Sequence, residues 1–105
     1  MYELYIVFYS YSKLFPKRDR FALVARIESN ILELLELLLL AQTKEKSSRI
    51  LILNKADLKI VTIKLFVRMS YEIKAIDQNK YIKLEEKILE IGKMTGGWIK
   101  YTKTA

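Results

Sequence analysis

Five glutamates, Glu33, Glu36, Glu85, Glu86 and Glu90, are the side chains whose type best suits acid–base chemistry. Glu33 and Glu36 stand three residues apart, so on a helix they share a face. The chemistry open to them is narrow, because the 105-residue chain contains neither histidine nor cysteine. That removes Ser/His and Cys/His nucleophile pairs, thiolate and imidazole zinc sites, and the Glu-x-x-His pairs of di-iron bundles. These carboxylates read more simply as partners for lysines on neighbouring helices. No catalytic residue, metal site or cofactor is expected. A small acid/base enzyme working with Arg, Lys and Glu alone is the alternative, and a deep pocket lined by convergent Arg and Glu would revive it.

The stretch ILEIGKMTGGWIKY (88–101) raises a second chemical question, since paired glycines can cradle phosphate. A phosphate loop places its glycines after a strand and before a helix. Here they follow a helical pattern, so Gly96–Gly97 is expected to be a helix C-cap, with Lys93 adding favourable charge to the last turn. Trp98 and Ile99 would then fold back onto the protein or reach a neighbouring subunit.

The basic residues carry the strongest signal. Nineteen Lys/Arg against twelve Asp/Glu give a net charge of +7, which favours an anionic partner: nucleic acid, an acidic protein or a membrane surface. PKRDR brings Lys17, Arg18 and Arg20 together at a helix start, followed by Arg26. Residues 44–74 hold eight Lys/Arg and three acids, and within them Lys55/Lys59 and Lys64/Arg68 are i,i+4 pairs. Like charges at that spacing weaken an isolated helix slightly, as if an anion compensates. Lys17, Arg18, Arg20, Arg26, Lys55, Lys59, Lys64 and Arg68 are therefore the expected phosphate contacts, and a solvated face is the alternative for any one of them. Such binding would be salt-sensitive and weakly sequence-specific.

The elements that must position these residues follow from the breakers. Pro16, TKEKSS (43–48), DQN (77–79) and Gly96–Gly97 divide the chain into segments of about 2–14, 17–43, 48–76 and 78–95, with Ser47, Ser48 and Asp77 as candidate N-caps. Segments two and three are too long for strands and read as helices. The Tyr and Val content of the first also suits a strand. In segment two, Arg26, Ser29, Asn30, Glu33 and Glu36 share one sector, while Phe21, Leu23, Ile27, Ile31, Leu34, Leu35 and Leu38 fill the apolar side. Short connections between long helices imply an antiparallel, up-down four-helix bundle spanning 1–101, with 102–105 as a short tail. In segment three, Leu51, Leu58, Leu65, Met69 and Ile76 form a stripe expected to face the core. Ile52, Ile60, Ile63, Phe66 and Val67 lie off it, so this helix is apolar on two sides and a homo-oligomer is expected. ILELLELLLLA is too short and too charged to span a bilayer, and YELYIVFYSYSKLF lacks the features of a signal peptide. A cytoplasmic protein that does not bind as a membrane span is expected.

Two stretches taken together, KLFPKRDRFALVARIESNILELLELLLLA (13–41) and ILEIGKMTGGWIK (88–100), resemble a known four-helix-bundle family. It contains the accessory variability determinant of diversity-generating retroelements and proteins encoded by intervening sequences in bacterial 23S ribosomal RNA. The resemblance covers essentially the whole chain, and FPKRDRF and IGKMTGGWIK are its most recognisable parts. It implies a homopentameric barrel of four-helix protomers that binds the retroelement's reverse transcriptase and its template RNA, with DNA as the alternative nucleic acid. Such a protein supports mutagenic reverse transcription, and the polymerase chemistry belongs to the partner. One departure stands out: members often carry Gly soon after the RF pair, where this chain has ALVA (22–25). For the intervening-sequence branch the implied role is a structural oligomer acting through protein contacts.

Overall fold

Pro16 marks the first reversal of the chain, because a proline ring removes a backbone donor and drives its predecessor out of helical geometry. In the computed structural model, which describes residues 2–104, helix α1 (Glu3–Ser12) ends just before it. Met1 and Ala105, at the outer edges of the expected domain and tail, lie outside the described residues. The Tyr- and Val-rich first segment is thus a helix, and it buries Leu4 and Phe8. Phe15 turns inward beyond it and meets Phe8 edge to face, with ring centroids 5.8 Å apart.

Helix α2 starts at the proline and consists of three consecutive pieces: an α turn Lys17–Asp19, a π turn Arg20–Val24 and a regular helix Ala25–Gln42. A π turn takes in an extra residue, so a constant 100° spacing misplaces side chains upstream of it. Phe21, expected on the apolar side, is 91% exposed for that reason. Past the π turn the spacing holds, and Ile27, Ile31, Leu34, Leu38 and Ala41 are buried at alternating steps of four and three. Burying each of the larger ones is worth roughly 1.5–3 kcal/mol.

Helices α3 (Lys46–Glu72) and α4 (Gln78–Thr104) each have 27 residues. That length corresponds to about 40 Å and sets the 46 Å long axis of the molecule. The α2–α3 pair meets at Ala41 and Arg49 beside their turn, and at Asn30, Glu33 and Lys59 farther along. Likewise Tyr71 stacks on Tyr81 beside the α3–α4 turn, while Arg49 lies over Trp98 at the far end. Four helices account for the regular structure of the described residues, and no strand occurs among them. Asp77 caps α4, its Oδ1 accepting from the Lys80 N–H at 2.9 Å. Neither Ser47 nor Ser48 caps α3, because the helix already begins at Lys46, after an extended Glu45.

Two expectations are corrected here. The core-facing stripe of α3 is Leu53, Ala56, Ile60, Ile63, Val67 and Ser70, so Ile60, Ile63 and Val67 are buried. Leu51, Leu58, Leu65 and Met69 instead point outward, at 65%, 66%, 57% and 40% exposure. Ile76, from the same expected stripe, is buried in the α3–α4 turn rather than on the helix. Both stripes repeat at helical spacing, and the inward one includes the small, fully buried Ala56 and Ser70.

The second correction concerns the glycines. Helix α4 runs through Gly96 and Gly97 to Thr104, and no glycine has positive φ among the described residues. Tertiary packing overrides the local stop signal here. Leu84, Ile88, Ile91, Thr95 and Thr102 are buried with half-buried Trp98 among them, a spacing of four and three that passes straight across the glycines. Trp98 and Ile99 therefore pack from a continuing helix and do not fold back.

Candidate nucleic-acid interface

The topology brings chain-distant basic residues to the same places. The α1–α2 junction, the end of α3 and the start of α4 share one end of the bundle, as shown by Lys80 Nζ lying 5.9 Å from the Tyr11 ring and by the Tyr71–Tyr81 stack. This turn end carries Lys13, Lys17, Arg18, Arg20, Arg68, Lys74, Lys80 and Lys83 against Asp19, Glu72 and Asp77. The opposite end carries Lys44, Lys46, Arg49, Lys100 and Lys103 against Glu45. Between them the waist is net acidic: Arg26, Lys55, Lys59, Lys64, Lys87 and Lys93 stand among Glu3, Glu28, Glu33, Glu36, Asp57, Glu85, Glu86 and Glu90. Charge is thus sorted along the axis into two positive ends and a negative middle.

At the turn end three of the cations, Arg20, Arg68 and Lys80, have defined partners. Arg20 Nη2 donates to the Lys13 carbonyl at 3.4 Å, tying α2 back to the chain before Pro16. The Arg68 guanidinium lies 5.6 Å from the Tyr71 ring centroid and 5.7 Å from that of Tyr81, with Glu72 3.7 Å from its Nε. Hydrogen bonding to Tyr81, and then attraction to the same group, raise the Arg68 pKa still further above the ordinary arginine range. The Lys80 backbone N–H, followed by its ammonium, holds Asp77 below the ordinary aspartate value.

A comparison with known proteins bears on what such a molecule is: a family model described as bAvd-like matches residues 1–102. The chain belongs to the bAvd-like family. This is the four-helix family that the FPKRDRF and IGKMTGGWIK stretches resemble. No curated protein and no solved structure matches it.

Within this bAvd-like chain the eight sequence-derived residues fall into two groups. Lys17, Arg18, Arg20 and Arg68 all lie at the turn end, the first three on the start of α2 and Arg68 beside α4, and all four are exposed. Arg26, Lys55, Lys59 and Lys64 lie at the waist. Lys59 donates to Glu33 at 2.6 Å and to Asn30 Oδ1 at 3.3 Å, while Asn30 Nδ2 donates to the Arg26 carbonyl at 2.7 Å. That network buries Asn30 and absorbs the Lys59 charge. Lys55 borders a groove of about 590 Å³ between α2 and α3, with Glu33, Glu36, Leu37, Leu40, Leu58 and Lys59. Lys64 faces Glu85 and Glu86 across a groove of about 470 Å³ between α3 and α4. The i,i+4 pairs thus diverge: Lys55/Lys59 flank α2, and Lys64/Arg68 flank α4.

Several basic residues of the bAvd-like bundle were not singled out by local spacing. Lys74, Lys80 and Lys83 join the turn end only once the α3–α4 turn is placed. Lys100 and Lys103 join the far end because α4 continues past the glycines, which the apolar spacing through Thr95, Trp98 and Thr102 signals. Arg49 is the anchor there, its Nε donating to the Ala41 carbonyl at 2.9 Å and its guanidinium 5.6 Å from the Trp98 ring. Among the described residues no group of acidic side chains is arranged to hold a metal ion, and no helix is long and apolar enough to cross a membrane.

Proposed function

We propose that this chain is the accessory protein of a diversity-generating retroelement, a non-catalytic cytoplasmic partner that binds the reverse transcriptase and its template RNA. Family membership supports the accessory role. The observation that carries the RNA contact is the sorting of charge, with eight cations against three acids at the turn end. Phosphates meeting that end displace counterions, so affinity falls steeply with salt; about four phosphate contacts to a single strand give a log–log slope of about −3.

The protomer is an up-down antiparallel bundle that assembles into a barrel, with five copies as the expected number. The pairing of Arg49 with Ala41, Lys59 with Glu33 and Tyr71 with Tyr81 supports the antiparallel order. Self-association is supported by the seven-residue repeat Leu51, Leu58, Leu65 with Val61 and Met69 beside it, an exposed apolar seam of coiled-coil spacing. That seam also favours a second reading, an intervening-sequence-type oligomer working through protein contacts alone.

Light-scattering mass with and without a structured RNA, at low and high salt, separates the two. The accessory reading expects a pentamer-sized particle that takes up RNA and releases it as salt rises. Lys17→Glu with Arg18→Glu is expected to weaken RNA binding about tenfold or more, whereas Lys55→Glu with Lys59→Glu weakens it less because Lys59 is already paired with Glu33. An oligomer indifferent to RNA at low salt refutes the nucleic-acid role and leaves the second reading.

A further inference from the structure

Helix α3 ends in a manner that usually calls for glycine. The Lys74 N–H donates to the Tyr71 carbonyl and the Ala75 N–H to the Ser70 carbonyl, both at 3.0 Å, which is a Schellman ending. Its C′ position requires left-handed backbone, strained for any residue with a Cβ. Lys74 occupies it with φ 62°, the one non-glycine residue of positive φ among the described residues. Strain of this kind persists where something else is gained.

What surrounds the lysine suggests the gain. Tyr71 and Tyr81 lie stacked, centroids 4.7 Å apart and planes 9° from parallel, with the Arg68 guanidinium beside both. An open cleft of about 450 Å³ adjoins them, lined by Tyr71, Glu72, Lys74, Ile76 and Asp77. That volume is within the range of small-ligand sites. Its carboxylates are already engaged, Glu72 near Arg68 and Asp77 with Lys80. Lys74 is the one charged side chain of the cleft with no ion-pair partner among the described residues.

We propose that this cleft at the α3–α4 turn stacks an unpaired nucleobase of a single strand against Tyr71, with Lys74 held by its left-handed backbone to take the adjoining phosphate. Arg68 steadies the tyrosine pair from the side. The proposal rests on the nucleic-acid reading above and adds strand selectivity to it. Phosphate contacts alone give single strands no advantage, because a duplex carries the denser charge, whereas a stacked base must first be unpaired. Any base has a face to stack, so the site selects unpaired structure over sequence.

The test uses the assembled full-length protein and anisotropy titrations with a short labelled RNA strand, the matching DNA strand and the RNA duplex. Two variants are compared, Tyr71→Leu, which keeps apolar bulk but loses the ring, and Lys74→Gly, which relieves the backbone. Wild type is expected to prefer the single strands. Tyr71→Leu should bind them about tenfold more weakly with little change for the duplex. Lys74→Gly should lower the salt slope by about one while unfolding no more easily than wild type, so its weaker binding cannot be ascribed to lost fold. Ultraviolet crosslinking of the RNA strand should map to the α3–α4 turn. Equal affinity for strand and duplex, unchanged in both variants and with crosslinks elsewhere, overturns the cleft and leaves RNA binding standing. Failure of wild type to bind any of the three at low salt overturns both.

Discussion

Gly96 and Gly97 give opposite forecasts depending on the backbone they occupy. If they formed a left-handed cap, alanine there would be strained and destabilising. In the structure both lie inside α4 with negative φ, and no atom beyond their own helix neighbourhood lies within 4 Å of where a Cβ would stand. A methyl group therefore enters open space, and what remains is helix propensity, about 0.8–1 kcal/mol per Gly→Ala change in a helix interior. The site is about two turns from the end of the helix, where fraying reduces the gain. Gly96→Ala with Gly97→Ala is expected to add about 1–2 kcal/mol. In a domain of this size each kcal/mol corresponds to about 4–8 °C in Tm. Urea unfolding followed by circular dichroism measures the change at fixed protein concentration, and helical signal should hold or rise. A lower midpoint with lost helical signal would refute a continuous α4 and restore the cap. Light scattering on the same samples distinguishes a further effect, because a neighbouring copy packed against these glycines would make the variant dissociate without loss of helix.

Asp77 and the α3 seam supply two more predictions. Since its folded pKa is depressed by Lys80, the contribution of Asp77 to stability is present above the ordinary aspartate pKa and is lost as pH falls through the lower folded value. Asp77→Ala should therefore lower the urea midpoint at pH 7, with the difference from wild type shrinking as pH falls through the lowered folded value, as parallel unfolding curves at several pH values would reveal. Leu58→Lys places a charge in the exposed repeat and should reduce particle mass in light scattering with helical content unchanged. Intact mass in that variant would remove the seam from the assembly.

Much of the architecture was legible because the breakers are few and sharp. Pro16, the 43–48 stretch and Asp77 each interrupt a strong helical pattern, so four helices followed. The direction each face points was less legible. On α3 the outward Leu51, Leu58, Leu65 and Met69 and the inward Leu53, Ile60, Ile63 and Val67 are both apolar stripes of helical spacing, so hydrophobicity alone does not pick the side. Tertiary packing decides it, and the side that carries Ala56 and Ser70 is the buried one. The end of α4 failed for a similar reason, because two glycines are a strong local signal but the contacts of Trp98 and Thr102 decide the conformation. The basic class of the surface was readable from charge alone. Its arrangement was not, since Lys17 and Lys74 reach the same end only through the reversal between α2 and α3. Lys59 looked free on its helix, and its partner Glu33 lies 26 positions away.

The sorted charge has an electrical consequence. Along its axis the chain is a quadrupole, positive at both poles and negative at the belt. At physiological ionic strength a surface field decays over about 8 Å, and the long axis measures 46 Å, so neither pole senses the other's state. A strand neutralising one pole leaves the potential at the opposite pole intact. If the proposed nucleic-acid role holds, the two poles would fill independently, and a single copy would hold two separate stretches of strand at once, as a bridge between them.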